Sequence, residues 1–258
     1  MATYQEHITR IKSDWDAPIW AYNDKRASRA VATAAGVAIP HWYGHPTSLA
    51  RLAPPTDDTF VLKPINGCSS RGVYPLQPVR GGYANLFTGQ PTTWDTVTTA
   101  AHQAKISPLN QRLIARGHPD ALRPPWILEQ AILNDGELAY DWKAYVIGAK
   151  VQAILQMQRT ATGTSVKWWT PEWSDAGNIK PNHVWRYRSD LPAPSDPAAM
   201  TAAWESIANQ LPTVFARIDL YEAREPVFGE ITPVPGAARA QFIPEWDQRL
   251  GLAWENAP

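Results

Sequence analysis

The sequence predicts an α+β protein in which antiparallel strand pairs are combined with helices. Residues 216–232 contain two segments of alternating polar and apolar side chains, joined by a polar turn that ends in proline, which is the pattern of a β-hairpin. A second alternating pair occupies residues 140–159 and turns at Gly148 and Ala149,. Apolar residues recur at helical spacing in residues 198–211,.

Length and charge limit the classes of protein that this chain can represent. Its 258 residues suffice for one large domain or two small ones with a buried core,. The 24 basic residues balance 24 acidic residues, so no net charge attracts nucleic acid or an anionic membrane. We therefore expect no nucleic-acid partner, and we expect local groups to bind any anionic ligand.

Several features predict a cytoplasmic protein with no membrane span. Cys68 is the single cysteine, so no internal disulfide forms, and a small loop residue is a better interpretation than a nucleophile without an identifiable partner. The first residues show no basic segment followed by an apolar one, as a secretion signal requires. The most apolar window, residues 30–40, has about half the length of a membrane span. The oligomeric state stays open.

The first clear element along the chain is a helix over residues 26–36. Asn23 or Asp24 is a suitable N-cap, and Gly36 is a suitable C-terminal stop,. A short strand is expected to follow at residues 37–40.

Two histidines follow this strand at a spacing of four. His41 and His45 could share a metal ion on a helix, but Pro40, Gly44 and Pro46 make a continuous helix improbable here,. Ordinary loop histidines are the better interpretation.

Lys63 ends a predicted buried strand, residues 60–64, and a segment rich in glycine and serine follows at residues 66–72. Small residues allow backbone N–H groups to converge on a phosphate, and Lys63 and Arg71 can supply countercharge. Residues 73–76 are expected to form the return strand. The lysine precedes the glycines, so this is not a Walker loop. On this segment alone, a flexible turn explains the pattern equally well.

The middle of the chain predicts a helical region over residues 94–116 and then an apolar strand over residues 126–132 that ends in polar residues. Such a strand can offer backbone groups to an adenine edge. Residues 160–197 are polar and rich in tryptophan and proline, which favours a long loop of the kind that forms substrate-binding lids. A closing helix is predicted at residues 244–254.

Two cations lie on the hairpin predicted at residues 140–159. Lys143 lies on its first strand and Arg159 near the end of its second. Whether they share a face depends on the turn register, which the sequence leaves open. Isolated cations on strands are usually solvated.

The C-terminal hairpin places polar side chains opposite one another. A symmetric turn gives three facing pairs on one surface: Arg217 with Thr232, Asp219 with Glu230, and Tyr221 with Phe228. Facing carboxylates destabilise a strand pair unless a cation lies between them, and two carboxylates with a hydroxyl suit a magnesium ion. A surface hairpin with two solvated acids is the alternative.

The order of these segments resembles the ATP-grasp superfamily, and the residues are most similar to its TupA-like branch. The matching residues are Asp24, Lys25, Arg29, Gly36, residues 60–64, 67–72, 128–130, 141–143, 217–221, 228–232, Pro235 and Gly236. The resemblance implies an ATP-grasp fold with an ATP cleft between two antiparallel-sheet subdomains. The implied division is a shortened N-terminal lobe at 1–48, a subdomain with the lysine strand and glycine-rich loop at 49–128, and a C-terminal subdomain with the metal-binding hairpin at 129–258.

The resemblance also implies roles for individual residues. Those implied to bind ATP are Lys63, Gly67, Ser69, Ser70, Gly72, Glu129, Gln130, Ile132 and Glu137, with Asp135 as an alternative at the ribose. Those implied to bind Mg²⁺, or Mn²⁺, are Asp219, Glu230 and Thr232, the last standing where many members have asparagine. Lys143, Arg159 and Arg217 are implied to neutralise the transferred phosphoryl group.

The activity implied by the resemblance is an ATP- and Mg²⁺-dependent ligase that joins a small-molecule carboxylate to an amine through an acylphosphate. Natural-product or cell-surface polymer biosynthesis is the implied context. Two alternatives remain: a phosphotransferase on the same fold, and a non-catalytic nucleotide- or glycan-binding module that uses its tryptophans for stacking.

Overall fold

The computed structural model of the chain describes residues 1–66, 72–103, 125–239 and 241–258. These residues form two compact units. One contains residues 1–39, 139–159 and 163–258, and the other contains residues 40–138 and 160–162. We call them the larger and the smaller unit. The larger unit thus contains residues 1–39 together with most of the C-terminal half of the chain. The division into a lobe at 1–48 and subdomains at 49–128 and 129–258 stays a prediction.

The secondary structure of the described residues is mixed. Its α-helices are α1 Tyr4–Ser13, α2 Lys25–Ala34, α3 Trp94–Gln103, α4 Pro197–Ala208 and α5 Pro244–Glu255, with short 3₁₀ helices at Pro18–Asn23, Leu49–Arg51 and Pro235–Ala238. Its strands are β1 Phe60–Pro64, β2 Tyr74–Val79, β3 Gly82–Asn85, β4 Gln90–Thr92, β5 Trp126–Gln130, β6 Leu133–Asn134, β7 Glu137–Leu138, β8 Asp141–Ile147, β9 Lys150–Thr160, β10 Gly163–Trp169, β11 Arg186–Tyr187, β12 Phe215–Glu222 and β13 Pro226–Thr232. None of these helices has the length and apolar character needed to cross a membrane.

The smaller unit contains a five-stranded sheet in the order β4-β3-β2-β1-β5. Strand β1 pairs antiparallel with both β2 and β5, which confirms the predicted lysine strand and its return strand. Phe60, Leu62 and Leu128 are buried with residues of α3. The predicted helix at 94–116 is present as α3, and its remainder lies outside the described residues.

The larger unit contains a six-stranded sheet in the order β11-β10-β9-β8-β12-β13. Residues alternate between its two faces because successive side chains of a strand point to opposite sides. One face carries Trp142, Ile218 and Leu220 and packs against α2 and α4. The other carries Tyr145 and Phe215 and packs against α1 and α5. Asp141 and Lys143 on β8 and Arg217 and Asp219 on β12 share this second face.

The hairpin predicted at residues 140–159 is confirmed as β8 and β9. Gly148 and Ala149 form its turn with φ values of 57° and 58°, the left-handed conformation of a tight hairpin turn. Asp141 pairs with Met157 and Lys143 with Leu155. Arg159 follows two residues after Met157 on the same strand, so it shares the face of Lys143. The register therefore shows that Lys143 and Arg159 share a face, which the sequence had left open.

The C-terminal hairpin is confirmed as β12 and β13. Arg217 faces Thr232 and Asp219 faces Glu230, as the symmetric register predicts. The third pair is wrong: a bulge after Asp219 leaves Gly229 unpaired, so Tyr221 faces Val227 and Phe228 lies opposite Leu220. A Cβ atom at Gly229 would lie 3.0 Å from the carbonyl oxygen of Asp219, which explains the glycine at the bulge.

Two predicted segments differ in the structure. The strand expected at residues 37–40 is reduced to a single parallel bridge between Ala38 and Val227. The loop expected at residues 160–197 begins with strand β10 and contains the short strand β11, which pairs parallel to it. Strand β10 could not be predicted from alternation. Its first residues are polar, and its two buried tryptophans are consecutive and do not alternate with polar residues.

Candidate active site

The candidate active site is a cluster of charged side chains on one face of the six-stranded sheet. Asp219 on β12 lies opposite both Lys143 on β8 and Glu230 on β13. Arg217 lies two residues from Asp219 and is therefore on the same face. Asp219 is 2% exposed and Lys143 is 6% exposed, so these two side chains are enclosed by protein.

Arg217 is the centre of the cluster. Its Nε donates to Asp219 Oδ1 at 2.7 Å, and its Nη2 donates to Asp219 Oδ2 at 2.7 Å. The same Nη2 lies 2.7 Å from Thr232 Oγ1 and 3.4 Å from Glu230 Oε1. One guanidinium nitrogen therefore contacts all three residues that the resemblance implied as metal ligands. It supplies the positive charge that two facing carboxylates require.

Lys143 connects this group to a second acid. Its ammonium donates to Asp219 Oδ2 and, at 2.8 Å, to Asp141 Oδ1. Asp141 also faces Arg159, whose Nη2 lies 3.5 Å from Asp141 Oδ2. The structure thus brings the three implied phosphoryl-binding cations, Lys143, Arg159 and Arg217, onto one face.

Burial and charge act in opposite directions within the cluster. Burial raises the pKa of the Asp219 carboxyl, whereas the charges of Arg217 and Lys143 lower it. Burial lowers the pKa of Arg217, but the charge and hydrogen bonds of Asp219 raise it by more. The guanidinium is therefore permanently charged, and its two parallel hydrogen bonds offset part of the desolvation of Asp219, whose pKa stays above its ordinary value,.

Sequence reasoning assigned no role to three further groups near the cluster. Lys25, at the start of α2, places its ammonium 4.0 Å from Glu230 Oε2. Asp141 stands two residues before Lys143, so strand alternation alone could have placed it on this face. Lys180 is buried and donates to Tyr145 Oη at 3.2 Å. It comes from the irregular segment after β10, where no pattern could have indicated it.

The smaller unit contains a second group of predicted residues. The ammonium of Lys63 lies 2.5 Å from Glu129 Oε1, and Trp42 Nε1 donates to Glu129 Oε2 at 3.2 Å. Lys63 and Glu129, implied to contact different parts of ATP, are therefore partners in a buried ion pair. They meet because β1 and β5 are neighbouring strands.

The other implied ATP-binding residues occupy varied positions. Gln130 is exposed at the end of β5, and its backbone N–H donates to the His41 carbonyl. Ile132 is partly buried just after it, and Glu137 is exposed on β7. Gly72 has φ of 71°, and a Cβ atom there would lie 2.9 Å from the Trp126 ring, so only glycine fits. Gly67, Ser69 and Ser70 lie outside the described residues.

The oxygen atoms of the C-terminal hairpin match the chemistry of a hard divalent cation. In the described parts of the chain, no group of three or more His, Cys, Asp or Glu residues is arranged to hold a metal ion. The candidate set is instead two carboxylates and a hydroxyl, from Asp219, Glu230 and Thr232, which converge on one cationic nitrogen. Mg²⁺ accepts such oxygens and commonly keeps several water ligands. The residues present therefore fit the ion.

Comparison with solved structures gives several ATP-grasp proteins at low identity. The D-alanine–D-alanine ligase from Bacillus anthracis, crystallised with ATP, is 14% identical with a TM-score of 0.48, and the match covers 92% of this chain and 66% of that one. The L-amino acid ligase from Bacillus licheniformis is 13% identical with a TM-score of 0.45, covering 84% and 41%. The D-cycloserine synthetase DcsG is 18% identical with a TM-score of 0.44, covering 91% and 70%. The chain thus spans just under two thirds of the first relative. Curated proteins gave no match.

The fold is of the ATP-grasp class, and the comparison with family models identifies one family within it. A family model described as TupA-like ATP-grasp matches residues 93–254, which is more than half of the chain and includes the whole charged cluster. The chain belongs to the TupA-like ATP-grasp family.

Proposed function

We propose that the protein is an ATP- and Mg²⁺-dependent ligase that joins a carboxylate to an amine. The observation that carries this proposal is the placement of Lys143, Arg159 and Arg217 on the same sheet face as Asp219 and Glu230. This face packs against α1 and α5 through Tyr145 and Phe215, and beside that apolar core it keeps buried charges in a hydrogen-bonded network. Such arrangements are concentrated at functional sites.

The proposed reaction has two steps. An oxygen of the substrate carboxylate attacks the γ-phosphorus of ATP, and ADP leaves, which gives an acylphosphate. The amine nitrogen then attacks the acyl carbon, phosphate leaves, and the nitrogen loses a proton to give the amide. Lys143, Arg159 and Arg217 donate hydrogen bonds to the oxygens on which negative charge develops. Because the sheet already orients these donors, little reorganisation is needed as the charge forms.

We assign the metal site to Asp219, Glu230 and Thr232. When bound, Mg²⁺, or Mn²⁺ in its place, neutralises phosphate oxygens as a Lewis acid. The side chain of Glu230 is 33% exposed, so solvent reaches this carboxylate, whereas the side chain of Asp219 is 3% exposed. Glu230 is therefore the carboxylate through which an ion enters the site.

We assign ATP binding to the smaller unit. The ammonium of Lys63 has three donors, so it can keep Glu129 and still donate to a phosphate. Gly67, Ser69, Ser70 and Gly72 are assigned to the phosphate loop. Glu129, Gln130 and Ile132 are assigned to the adenine, and Glu137 or Asp135 to the ribose.

The proposed substrates are small molecules of amino-acid type, used in natural-product or cell-surface polymer biosynthesis. We place the reaction in the cytoplasm, since ATP is available there.

Product analysis tests this proposal. The purified protein is incubated with ATP, Mg²⁺ and pools of carboxylates and amino acids, and ADP, free phosphate and intact product mass are measured. We expect ADP and phosphate in equal amounts, dependent on the amine, with a product equal to both substrates less one water. Phosphate retained on the product would instead indicate a phosphotransferase. ATP binding without turnover would indicate a non-catalytic module.

A matched pair of variants tests the metal assignment. Glu230→Gln removes a carboxylate charge from the proposed site, and we expect it to abolish turnover while the circular dichroism spectrum is retained. Glu225→Gln changes an exposed residue in the loop of the same hairpin and should leave turnover unchanged. Near-normal activity of Glu230→Gln would refute the assignment.

A further inference from the structure

The position of Arg217 bears on how a divalent ion enters the proposed metal site. Its Nη2 lies 2.7 Å from Asp219 Oδ2, 2.7 Å from Thr232 Oγ1 and 3.4 Å from Glu230 Oε1. These are the oxygens that the proposed function assigns to the ion. A guanidinium nitrogen therefore stands at the point where they converge.

The guanidinium and a metal ion cannot occupy this point together. Mg²⁺ requires oxygen ligands at about 2.0–2.1 Å, whereas the nitrogen keeps the oxygens apart at hydrogen-bond distances. Asp219 has little spare capacity, because its two oxygens already accept two bonds from Arg217 and one from Lys143, out of about four lone-pair positions. An ion that takes Asp219 and Glu230 must displace the Nη2 of Arg217.

We propose that the guanidinium of Arg217 and the divalent cation are alternative occupants of one site. In the metal-free protein, Arg217 holds Asp219, Glu230 and Thr232 together and prevents repulsion between the two carboxylates. Binding of the ion releases the guanidinium from these oxygens. The released group stays on β12 beside Lys143, where it donates to an anion that arrives with the ion. This inference rests on the proposed function, since it specifies how the assigned metal site is controlled.

Arg159 provides the control for a general effect of charge. It lies on the same sheet face and contacts Asp141 at 3.5 Å, but it belongs to a different part of the cluster from the three converging oxygens. Removing either arginine lowers the positive charge near the site by one. Only the removal of Arg217 also vacates the point of convergence.

Mn²⁺ titration tests the proposal without nucleotide or substrate. Binding of Mn²⁺ to the wild type, Arg217→Met and Arg159→Met is measured by the loss of its free electron paramagnetic resonance signal. We expect Arg217→Met to bind Mn²⁺ about 10-fold more tightly than the wild type, within the usual range of coupling between two sites. Arg159→Met should change the affinity by less than about threefold, as expected for a screened charge. Equal gains in both variants, or no gain in Arg217→Met, would overturn the proposal.

Thermal unfolding gives a second readout that an ordinary packing role would not produce. Without metal, Arg217→Met should unfold at a lower temperature than the wild type, because Asp219 and Glu230 face each other without their shared cation. Saturating Mn²⁺ should restore more of this loss in Arg217→Met than it adds to the wild type, because the ion replaces the guanidinium. Equal shifts in the two proteins would contradict the replacement.

A wild-type crystal grown with MnCl₂ keeps the proposal testable if Arg217→Met fails to fold. The anomalous signal of manganese should lie within coordination distance of Asp219 and Glu230, with the Nη2 of Arg217 withdrawn from both. An ion bound there while Arg217 keeps its contacts would refute the inference. None of these measurements requires turnover, so absence of a ligase product and failure of this inference are distinguishable.

Discussion

Two of the ion-paired lysines of the six-stranded sheet, Lys143 and Lys150, allow the energetic role of burial to be measured. Lys143 contacts Asp141 at 2.8 Å, and its side chain is 8% exposed. Lys150 lies on the neighbouring strand β9 and contacts Glu205 at the same 2.8 Å, but its side chain is 70% exposed. Substitution of each lysine by methionine keeps the aliphatic stem and removes the charge. The two variants therefore differ in the burial of the lysine and in the number of acids that lose a partner, which is two for Lys143 and one for Lys150.

We expect Lys143→Met to lower the free energy of unfolding by about 2–3 kcal/mol. Breaking a buried pair by removing one partner costs about 3–5 kcal/mol, and here Asp219 keeps its two bonds to Arg217, which reduces the cost. Lys150→Met should cost about 0–1 kcal/mol, the usual value of an exposed pair. At about 2–4 °C per kcal/mol for a chain of this size, Lys143→Met should unfold roughly 4–12 °C below the wild type.

The assay is urea-induced unfolding without nucleotide, followed by tryptophan fluorescence and by circular dichroism. The double variant Lys143→Met/Asp219→Asn should lose less than the sum of the single variants, because removing both partners leaves no uncompensated carboxylate at that contact. If Lys143→Met costs no more than Lys150→Met, burial of this network does not determine its contribution, and the argument for an enclosed charged site fails.

Three further predictions follow from other parts of the molecule. Lys63→Met should raise the ATP concentration needed for half-maximal binding, measured by titration calorimetry, and unchanged binding would count against its phosphate role. Gly251→Ala should destabilise the protein by about 1–3 kcal/mol, because its Cβ atom would lie 2.3 Å from the Ala2 carbonyl oxygen; an unchanged urea midpoint would contradict this packing. The pKa of His7, stacked on Trp254, is lowered from 6.5, chiefly by burial. The unfolded chain therefore binds more protons just below pH 6.5, so the unfolding temperature should fall on acidification. That fall should be smaller in His7→Phe, and identical pH profiles of the two proteins would refute it.

Local patterns were sufficient to predict the two hairpins of the larger unit and the facing of Asp219 with Glu230. Strand alternation has a period of two, and a short turn sets the register, so facing pairs near a turn can be read from residue order. The bulge at Gly229 escaped this reasoning, because an unpaired residue shifts the register beyond it. Strand β10 also escaped, since consecutive buried tryptophans do not alternate.

The sequence by itself determined the two hairpins of the larger unit, the facing of Asp219 with Glu230 and of Arg217 with Thr232, and hence that acids and a cation would meet on the C-terminal hairpin. These properties depend on backbone geometry within a few residues. Only the tertiary structure decided that Arg217 occupies the point where three oxygens converge and that Lys63 pairs with Glu129. These contacts join strands brought together by sheet pairing and packing, and the rotamer that a long cation adopts depends on every charge around it.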